Sequence, residues 1–322
     1  MTTLITGGGL IGSQIARLLT EGGERPVLFD VAPQPEALGA NVPLDRLTLA
    51  QGNILDPLSL ARVIREHGVD RVIHTVGNPL FTIGAQRDPY GAVQINVLGT
   101  VNVLELARSF GLGRVVITSS AALSHFLTGG EDGGDPTREE AFPRPATFYA
   151  ATKQAVESLA LNYQRWLGVD VVIVRFAAVV GPWRGRGGGG PSNMFRELVE
   201  RSLQGQEAVL PRRAMEWVYS KDAAQGAVLA LTRDGLESRV FNISTGRVSR
   251  AEEVAETVKR VIPTARVRLQ EVTASDSPFP EVDHPLDLGR ARAQLGFTPR
   301  FDLESAVRDL VEWYGRVGLP TS

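Results

Sequence analysis

The segment Leu4-Ile5-Thr6-Gly7-Gly8-Gly9-Leu10-Ile11-Gly12 decides the fold of this chain. Its first three residues predict a short apolar strand, and residues 13–21 predict an amphipathic helix. A glycine-rich turn between a strand and a helix lets the backbone approach a ligand phosphate at the positive end of the helix. Gly7, Gly9 and Gly12 match the Gly-x-Gly-x-x-Gly pattern of dinucleotide-binding proteins, which is weak evidence when it stands alone.

A second predicted strand, over residues 26–29, ends in Asp30, 18 residues after Gly12. An acidic side chain there accepts hydrogen bonds from the adenosine ribose hydroxyls of NAD and repels the 2′-phosphate of NADP. Val31 and Ala32 follow it, so no arginine stands beside it to bind such a phosphate. The sequence therefore favours NAD over NADP.

Strand and helix signals alternate through the first half of the chain. Apolar segments at residues 47–49, 71–74, 115–118 and 171–174 predict further strands, and residues 57–67, 89–110 and 148–167 predict helices between them. Near-continuous apolar strands separated by helices indicate a parallel sheet that helices cover on both faces. We predict an α/β fold, a doubly wound parallel sheet (Rossmann) with a smaller C-terminal α/β substrate domain.

The predicted NAD-binding domain comprises residues 1–175, and residues 218–246 return to it. Residues 176–217 and 247–322 form the predicted substrate domain. Between its elements lies Gly-Arg-Gly-Gly-Gly-Gly at residues 185–190, which we expect to be a mobile loop. It is either a plain linker or a cover for the substrate.

Composition sets limits on function. The chain has 322 residues, a net charge of -2 and no cysteine, which argues against a nucleic-acid partner, disulfides and thiolate metal sites. No apolar segment approaches the ~20 residues of a membrane span, so we expect a cytoplasmic protein without a membrane partner. The acids at positions 131, 132, 135, 139 and 140 predict a solvated face rather than a metal site.

Tyr149 and Lys153 stand four residues apart in a predicted helix and therefore share one helical face. A neighbouring ammonium group lowers the pKa of a phenol, so the pair is a candidate general acid/base at neutral pH. On spacing alone, a half-buried tyrosine above a solvated lysine is the simpler interpretation. Lysine occurs only at positions 153, 221 and 259 in a chain whose other basic residues are arginine, and this favours a function for Lys153.

Taken together, the chain resembles an extended short-chain dehydrogenase/reductase of the NAD-dependent epimerase/dehydratase family. The resemblance spans essentially the whole chain, and these segments carry it: Thr6 to Gly12, Asp30, Gly52-Asn53-Ile54, Asn96 to Thr100, Ile117 to Ser120, Tyr149 with Lys153, Arg175 to Pro182, Asp222, and Leu295 to Pro299. The family usually has Gly-x-x-Gly-x-x-Gly, and here the first interval is one residue shorter. This departure leaves the geometry of the turn open, but not its role.

The resemblance implies roles for individual residues. Tyr149 is the general acid/base, Lys153 binds the nicotinamide ribose and lowers the pKa of Tyr149, and Ser120 hydrogen-bonds the substrate oxygen. Ser119 is the weaker candidate for that last role. The implied NAD-binding residues are Gly7, Gly9, Leu10, Ile11, Gly12, Asp30, Asn53, Ile54, Thr75, Val76, Gly77, Asn96, Tyr149 and Lys153. His74 is expected to be a hydrogen-bonded structural residue, and the role of His125 stays open.

Other departures concern the substrate. Ala178 replaces the asparagine of the family's Arg-x-x-Asn-x-x-Gly-Pro pattern, and Met215 stands where a phosphate-binding arginine is common. Asn193 survives at a position that can contact a nucleotide, so the implied substrate-binding residues are Ser120, Ala178, Asn193 and Met215. Arg186, Arg212 or Arg213 could compensate for the missing cation. Without its charged partners a diphosphate loses charge-assisted hydrogen bonds.

The dehydratase branch of the family carries Asp-Glu directly after the catalytic hydroxyl residue, and here Ala121-Ala122 stands in its place. The sequence therefore favours simple hydride transfer, by an NAD-dependent oxidoreductase, at a secondary alcohol or ketone of a polar, sugar-derived substrate. The alternative is a nucleotide-sugar epimerase of the UDP-hexose type with tightly bound NAD. A non-catalytic NAD-binding regulator is a minor third hypothesis, because a regulator has no need of the Tyr149–Lys153 pair. The resemblance also implies a homodimer that pairs through the helices at residues 89–110 and 148–167.

Overall fold

The computed structural model describes residues 1–77, 85–124, 136–272 and 282–319. His125, and the acids Glu131, Asp132 and Asp135, lie outside the described residues.

The described elements are numbered in chain order. The strands are β1 (Thr3–Thr6), β2 (Val27–Asp30), β3 (Thr48–Gln51), β4 (Arg71–His74), β5 (Val115–Ser120), β6 (Val171–Phe176), β7 (Ala178–Val180), β8 (Glu207–Pro211), β9 (Met215–Tyr219), β10 (Val240–Ile243), β11 (Val248–Ser249) and β12 (Arg266–Gln270). The helices are α1 (Leu10–Glu21), α2 (Pro35–Gly39), α3 (Pro57–Glu66), α4 (Pro89–Ala92), α5 (Gly99–Phe110), α6 (Phe148–Leu167), α7 (Gly190–Leu203), α8 (Ser220–Thr232), α9 (Ala251–Val261) and α10 (Leu303–Val317).

The main sheet is parallel in every described pair and runs in the order β10-β6-β5-β4-β1-β2-β3. The chain moves outward from β1 to β3 and then returns to β4 on the other side of β1. Ligands of doubly wound sheets bind at this reversal, beside the carboxyl ends of the strands. The predicted fold class is confirmed. β10, late in the chain, joins the sheet beside β6. The domain limits stay a prediction.

Alternation along the strands builds a core on each face of the sheet. On one face Ile5, Leu28 and Val116 pack with the buried residues of α1 and α8. On the other, Leu4 and Ile117 pack with residues of α3, α5 and α6. Because both faces are covered, the strands consist almost entirely of apolar residues, which is what made them visible in the sequence.

The C-terminal part of the chain contributes smaller sheets. β7, β9 and β11 form one, and β8 pairs with β12 to form another, with α7, α9 and α10 packed around them. β7, β8, β11 and β12 were not predicted from the sequence. These strands have two to five residues, and β12 alternates exposed arginines with half-buried apolar residues. Their pairing depends on tertiary contacts rather than on a local pattern.

The predicted helix over residues 89–110 is interrupted. A π-helical segment, Val93–Leu98, separates α4 from α5. At Gly99, where α5 begins, a Cβ atom would lie 2.9 Å from Cγ2 of Ile54, so glycine permits the close approach of this helix to the segment after β3.

One predicted solvated acid is buried. Glu139 is 8% exposed, and its Oε1 accepts the Asn242 N–H at 2.9 Å. Its carbonyl oxygen accepts from Arg175, whose guanidinium also forms a two-bond pair with Glu157 at 2.8 and 2.7 Å. The prediction of a solvated face is wrong for Glu139, because the buried Arg175, which is paired with Glu157, also hydrogen-bonds the Glu139 backbone. None of the described helices is long and apolar enough to cross a membrane.

Candidate active site

A cavity of about 1560 Å³ opens at the carboxyl ends of the parallel strands and extends to β7, β9 and the start of α7. Sixteen of the predicted site residues line it: Gly7, Gly9, Leu10, Ile11, Gly12, Asp30, Asn53, Ile54, Thr75, Val76, Gly77, Ser120, Tyr149, Lys153, Ala178 and Met215. The structure therefore brings the motifs together, while their binding roles stay predictions. Asn96 and Asn193 do not line this cavity.

The glycine turn is fixed by close contacts at two positions. Gly7 has φ +95°, and a Cβ there would lie 2.8 Å from Oγ1 of Thr75, which itself donates to the Thr6 and Gly7 carbonyl oxygens. At Gly12 a Cβ would lie 1.9 Å from the carbonyl oxygen of Gly7. The missing residue of the family pattern thus leaves a turn in which the first turn of α1 packs directly on the end of β1.

Gly9 differs from its neighbours. It is the N-cap residue of α1, with no side-chain cap, and a Cβ there would meet nothing within 4 Å. The open space beside it belongs to the cavity, at the positive end of a 12-residue helix. Such a position suits a phosphate group, which can approach the bare backbone and the N–H groups of the helix.

Asp30 ties the end of β2 to the turn. Its Oδ2 accepts the Gly8 N–H at 2.7 Å, and its Oδ1 accepts the Ala32 N–H at 2.9 Å. The carboxylate is thereby held at the edge of the cavity, where its remaining lone pairs can accept ribose hydroxyls. Asn53 is exposed, and Ile54 is buried with part of its surface against the cavity.

Two features of the cavity lining suit a bound dinucleotide. The first is the open space at Gly9. The second is Ser119, which lines the cavity and is 4% exposed, yet its Oγ has no hydrogen-bond partner within the described chain. A buried hydroxyl without a partner is rare, and a bound ligand would supply one. The site therefore fits NAD.

The predicted catalytic residues meet at the ends of β5 and α6. Thr147 caps α6 by accepting the Ala150 N–H at 3.1 Å, which places Tyr149 in the first turn. Ser120, the last residue of β5, forms a side-chain hydrogen bond with Tyr149. Lys153 donates from Nζ to the Thr118 carbonyl oxygen at 2.8 Å, with Nζ 5.8 Å from the centre of the Tyr149 ring.

Burial dominates the electrostatics of this group. It raises the pKa of Tyr149 to about 12, and the hydrogen bond with Ser120 opposes this only in part. Burial lowers the pKa of Lys153 to about 8, against a raising effect of Glu157. In the protein alone the net shift of the Tyr149 pKa is therefore upward, opposite to the lowering expected from Lys153. The phenol is protonated across the neutral range.

His74 is a structural residue, as predicted. Its ring is 2% exposed and hydrogen-bonds Oγ1 of Thr6 at 2.6 Å and Oγ1 of Thr100 at 3.1 Å. Burial, with a further contribution from Lys153, lowers the pKa of His74 to about 3. The imidazole is therefore neutral and serves to connect β1, β4 and α5.

The two asparagines outside the cavity have other contacts. Asn96 is 1% exposed and donates from Nδ2 to Oγ1 of Thr152 at 2.9 Å, so it supports the helix that carries Tyr149 and Lys153. Asn193 is exposed and donates to the Gly188 carbonyl oxygen at 3.5 Å. Their predicted ligand contacts have no support from this geometry.

Ala178 and Met215 line the cavity, and each is half-buried. Of the three arginines considered as compensating cations, Arg212 is paired with Glu252 at 3.0 Å and with Glu271 at 2.6 Å. Arg186 and Arg213 line the cavity. The substrate side thus has cations, but not at the positions where the family commonly places a diphosphate partner.

Sequence reasoning missed several lining residues. Gln34 follows Asp30 by four residues, and Gln86 accepts the Phe148 N–H at 3.0 Å at the start of α6. Arg87, next to Gln86, also lines the cavity. No local pattern distinguishes these residues from solvated surface residues, because only the packing of distant segments brings them to the cavity.

The chain is similar to known proteins in sequence and in fold. The sequence model of the NAD dependent epimerase/dehydratase family matches residues 3–244. UDP-glucose 4-epimerase from Azospirillum brasilense is 28% identical over 96% of this chain and 91% of its own length. Two solved structures share the fold. UDP-glucose 4-epimerase from Thermus thermophilus, in complex with NAD, is 24% identical with a TM-score of 0.83 over 98% of this chain and 99% of its own.

The second is L-threonine dehydrogenase from Clostridium difficile, which is 24% identical with a TM-score of 0.84 and covers 99% of both chains. These similar proteins include both epimerases and dehydrogenases, so the fold alone does not decide the reaction. Because the family match spans well over half of the sequence, the chain belongs to the NAD dependent epimerase/dehydratase family and is an enzyme whose cofactor is NAD.

Proposed function

We propose that this enzyme is an NAD-dependent oxidoreductase that transfers a hydride at a secondary alcohol or ketone carbon of a polar, sugar-derived substrate. One observation carries the proposal. The Ser120–Tyr149–Lys153 group shares a cavity with Ala178 and Met215, at positions where the family commonly has polar partners for a nucleotide diphosphate. The residues proposed for proton transfer are all present, whereas two residues that commonly bind a nucleotide diphosphate are replaced.

The proposed chemistry is balanced by one proton and one hydride. NAD, when bound, accepts the hydride or, as NADH, supplies it. In oxidation the substrate O–H proton passes to the Tyr149 phenolate while the carbon–hydrogen bond breaks and a carbonyl forms. In reduction the Tyr149 phenol donates that proton back to the carbonyl oxygen. Ser120 hydrogen-bonds the same oxygen, and the Lys153 cation stabilises the phenolate.

The electrostatics support a protonated Tyr149 as the resting state. Burial raises its pKa to about 12, so the group begins as an acid at neutral pH. An acid aimed at a carbonyl oxygen suits reduction directly. Oxidation requires that the Lys153 cation and the loaded site shift the tyrosine toward phenolate.

The neighbouring residues support one-step transfer rather than elimination. Dehydration requires an acid and a base beside the catalytic hydroxyl, and Ala121 and Ala122 line the cavity there instead. Gln86, Arg87 and Thr147 line the cavity and provide polar contacts for a hydroxylated substrate. These features favour a sugar, sugar acid or polyol.

A nucleotide-sugar epimerase is the second candidate. The observation in its favour is the cavity volume of about 1560 Å³, which exceeds the roughly 1,000 Å³ upper range of ordinary small-molecule pockets. A cavity of that size can hold a dinucleotide together with a second nucleotide. UDP-glucose 4-epimerases also stand among the similar proteins.

A substrate panel separates the two. The full chain is mixed with NAD and a series of sugars, sugar acids and polyols, and NADH absorbance is followed. We expect NADH with at least one of them, and a rate roughly 10²–10⁴-fold lower with the Tyr149→Phe variant. Interconversion of UDP-hexoses without NADH, and no NADH from any panel member, would replace the oxidoreductase with the epimerase.

The homodimer is a further proposal. Apolar side chains are exposed along the expected pairing helices, including Tyr90 at 74%, Val93 at 49% and Trp166 at 72%. Burying such a surface against a second copy is favourable. Light scattering at low micromolar concentration should give twice the mass of the chain. The Trp166→Glu variant should give the mass of a single chain. The cytoplasmic location stays a proposal that cell fractionation tests.

A further inference from the structure

Residues 185–190, which we call the glycine strap, are held against the segment that follows Asp30. The Arg186 N–H donates to Gln34 Oε1 at 2.6 Å, and Gln34 Nε2 donates to the Arg186 carbonyl oxygen at 3.2 Å. Trp183 donates from Nε1 to the same carbonyl oxygen at 3.2 Å. Both backbone polar groups of Arg186 are thus fixed, across 152 residues of sequence.

Close contacts and backbone conformation explain why three positions of the strap are glycine. A Cβ at Gly185 would lie 2.3 Å from the Trp183 ring and 3.0 Å from Cβ of Ala37. Gly187 and Gly188 have φ of +96° and +98°, a region that side chains disfavour. The segment is therefore a built turn rather than a plain linker, and Arg186 is its one residue with a side chain beyond Cα.

The two arginines of this region have different surroundings. Arg184 donates to Glu36 Oε1 at 3.1 Å and to the Val317 carbonyl oxygen at 3.2 Å, and it does not line the cavity. Arg186 lines the cavity, and within the described ranges its guanidinium has no hydrogen-bond or ion-pair partner. A fixed backbone thus presents an uncompensated cation at the cavity.

The glycine turn that faces the same cavity has no cation of its own. Residues 7–12 contribute backbone N–H groups and the positive end of α1, but no basic side chain. A dinucleotide brings two negative charges to such a turn. A guanidinium forms charge-assisted hydrogen bonds with phosphate oxygens, and these are about twice as strong as neutral ones.

We propose that Arg186 is a further cofactor-binding residue, which reaches the diphosphate of NAD from the glycine strap, and that Gln34 is the residue that positions it. A substrate diphosphate is the other source of the same chemistry. The cofactor is favoured because Gln34, which holds the strap, belongs to the segment directly after Asp30, the predicted ribose-binding residue.

The test measures displacement of bound fluorescent NADH from the full chain by ADP and by adenosine, in Arg186→Met and in the matched control Arg184→Met. We expect Arg186→Met to weaken binding of ADP and NADH by about tenfold or more, the worth of one charge-assisted hydrogen bond. Adenosine, which has no phosphate, should change less than about twofold, and Arg184→Met should leave all three ligands unchanged. Unchanged ADP binding in Arg186→Met, or an equal loss for adenosine, would overturn the proposal.

Two further arms sharpen the test. Titration of UDP into the NADH-saturated enzyme identifies the source of the diphosphate: a loss for UDP in Arg186→Met, with none for ADP, would assign Arg186 to the substrate and overturn the proposal. For Gln34, we expect Gln34→Met to weaken ADP binding in the wild-type background but to add nothing when Arg186 is already Met. Additive losses would contradict the positioning role.

Discussion

The cavity has two sides that are built differently. On the glycine-turn side, Gly7, Gly12 and Asp30 hold their places through backbone contacts at the ends of strands. On the side of β7, β9 and the glycine strap, the lining consists of side chains such as Met215 and Arg186, which distant contacts hold in place. The first side suits a ligand that the whole family shares. The second can change with the substrate while the fold stays the same.

Tyr149 lines the same cavity, and its replacement should have the largest effect. Tyr149→Phe keeps the ring but removes the proton donor, so we expect kcat to fall by roughly 10²–10⁴-fold. The dissociation constant for NAD should rise by less than about tenfold, because Tyr149 supplies only one of the implied cofactor contacts and the glycine turn is untouched. Steady-state kinetics on a substrate from the panel, with NADH fluorescence titration, measures both. A kcat within about tenfold of wild type would remove the general acid/base assignment.

The glycine turn offers a matched pair of substitutions. In Gly12→Ala a Cβ would lie 1.9 Å from the Gly7 carbonyl oxygen, so the backbone must move and we expect to lose about 3 kcal/mol or more of unfolding free energy. In Gly9→Ala the Cβ meets no protein atom within 4 Å, so stability should change by less than about 0.5 kcal/mol.

Gly9→Ala should instead weaken NAD by about tenfold or more, because the methyl group occupies space beside the helix N-terminus. Urea unfolding and NADH titration measure the two effects. A stable Gly12→Ala variant, or a Gly9→Ala variant with normal NAD affinity, would break the distinction between a packed and an open glycine.

Because of Lys153, the free energy of unfolding should be higher in mild alkali than at neutral pH. Its folded pKa is about 8 against an ordinary value of 10.5, so between these values the unfolded chain binds more protons than the folded one. Unfolding free energy therefore rises with pH through this window, by about 2 kcal/mol between about pH 7 and pH 9.5. The raised pKa of Tyr149 acts in the opposite direction, but only above its ordinary value of 10.0.

Lys153→Met removes the buried cation, and with it the rise. Urea titrations at both pH values, without added NAD, should therefore give a flatter stability profile for the variant than for the wild type. Equal slopes would mean that Lys153 is solvated in solution and would weaken its assigned role beside Tyr149.

The substrate side is tested by restoring the family's residues. Ala178→Asn with Met215→Arg supplies the amide and the cation that commonly bind a nucleotide diphosphate. We expect UDP to bind about tenfold more tightly or better to the NADH-loaded variant, with ADP displacement of NADH unchanged. If wild type already binds UDP as tightly as the variant does, other residues hold the nucleotide and the epimerase gains support.

The same contrast explains what could be predicted from the sequence. β1, the turn and α1 follow from glycines and an apolar strand that are adjacent in the chain. Tyr149 and Lys153 follow from helical spacing. Gln34 and Arg186 meet across 152 residues, so no local signal pairs them. The burial of Glu139 depends in the same way on Arg175 of β6, and the upward pKa shift of Tyr149 depends on how deeply α6 packs.

The proposed oxidoreductase differs from an epimerase in that the hydride taken from the substrate leaves the enzyme as NADH. The most direct measurement is the number of NADH molecules formed per subunit when the wild-type enzyme is given excess NAD and an active alcohol from the panel. We predict many NADH per subunit, and roughly 10²–10⁴-fold fewer with Tyr149→Phe in the same time. Substrate turnover with no net NADH would show a hydride that returns to the substrate, and would contradict the proposed oxidoreductase.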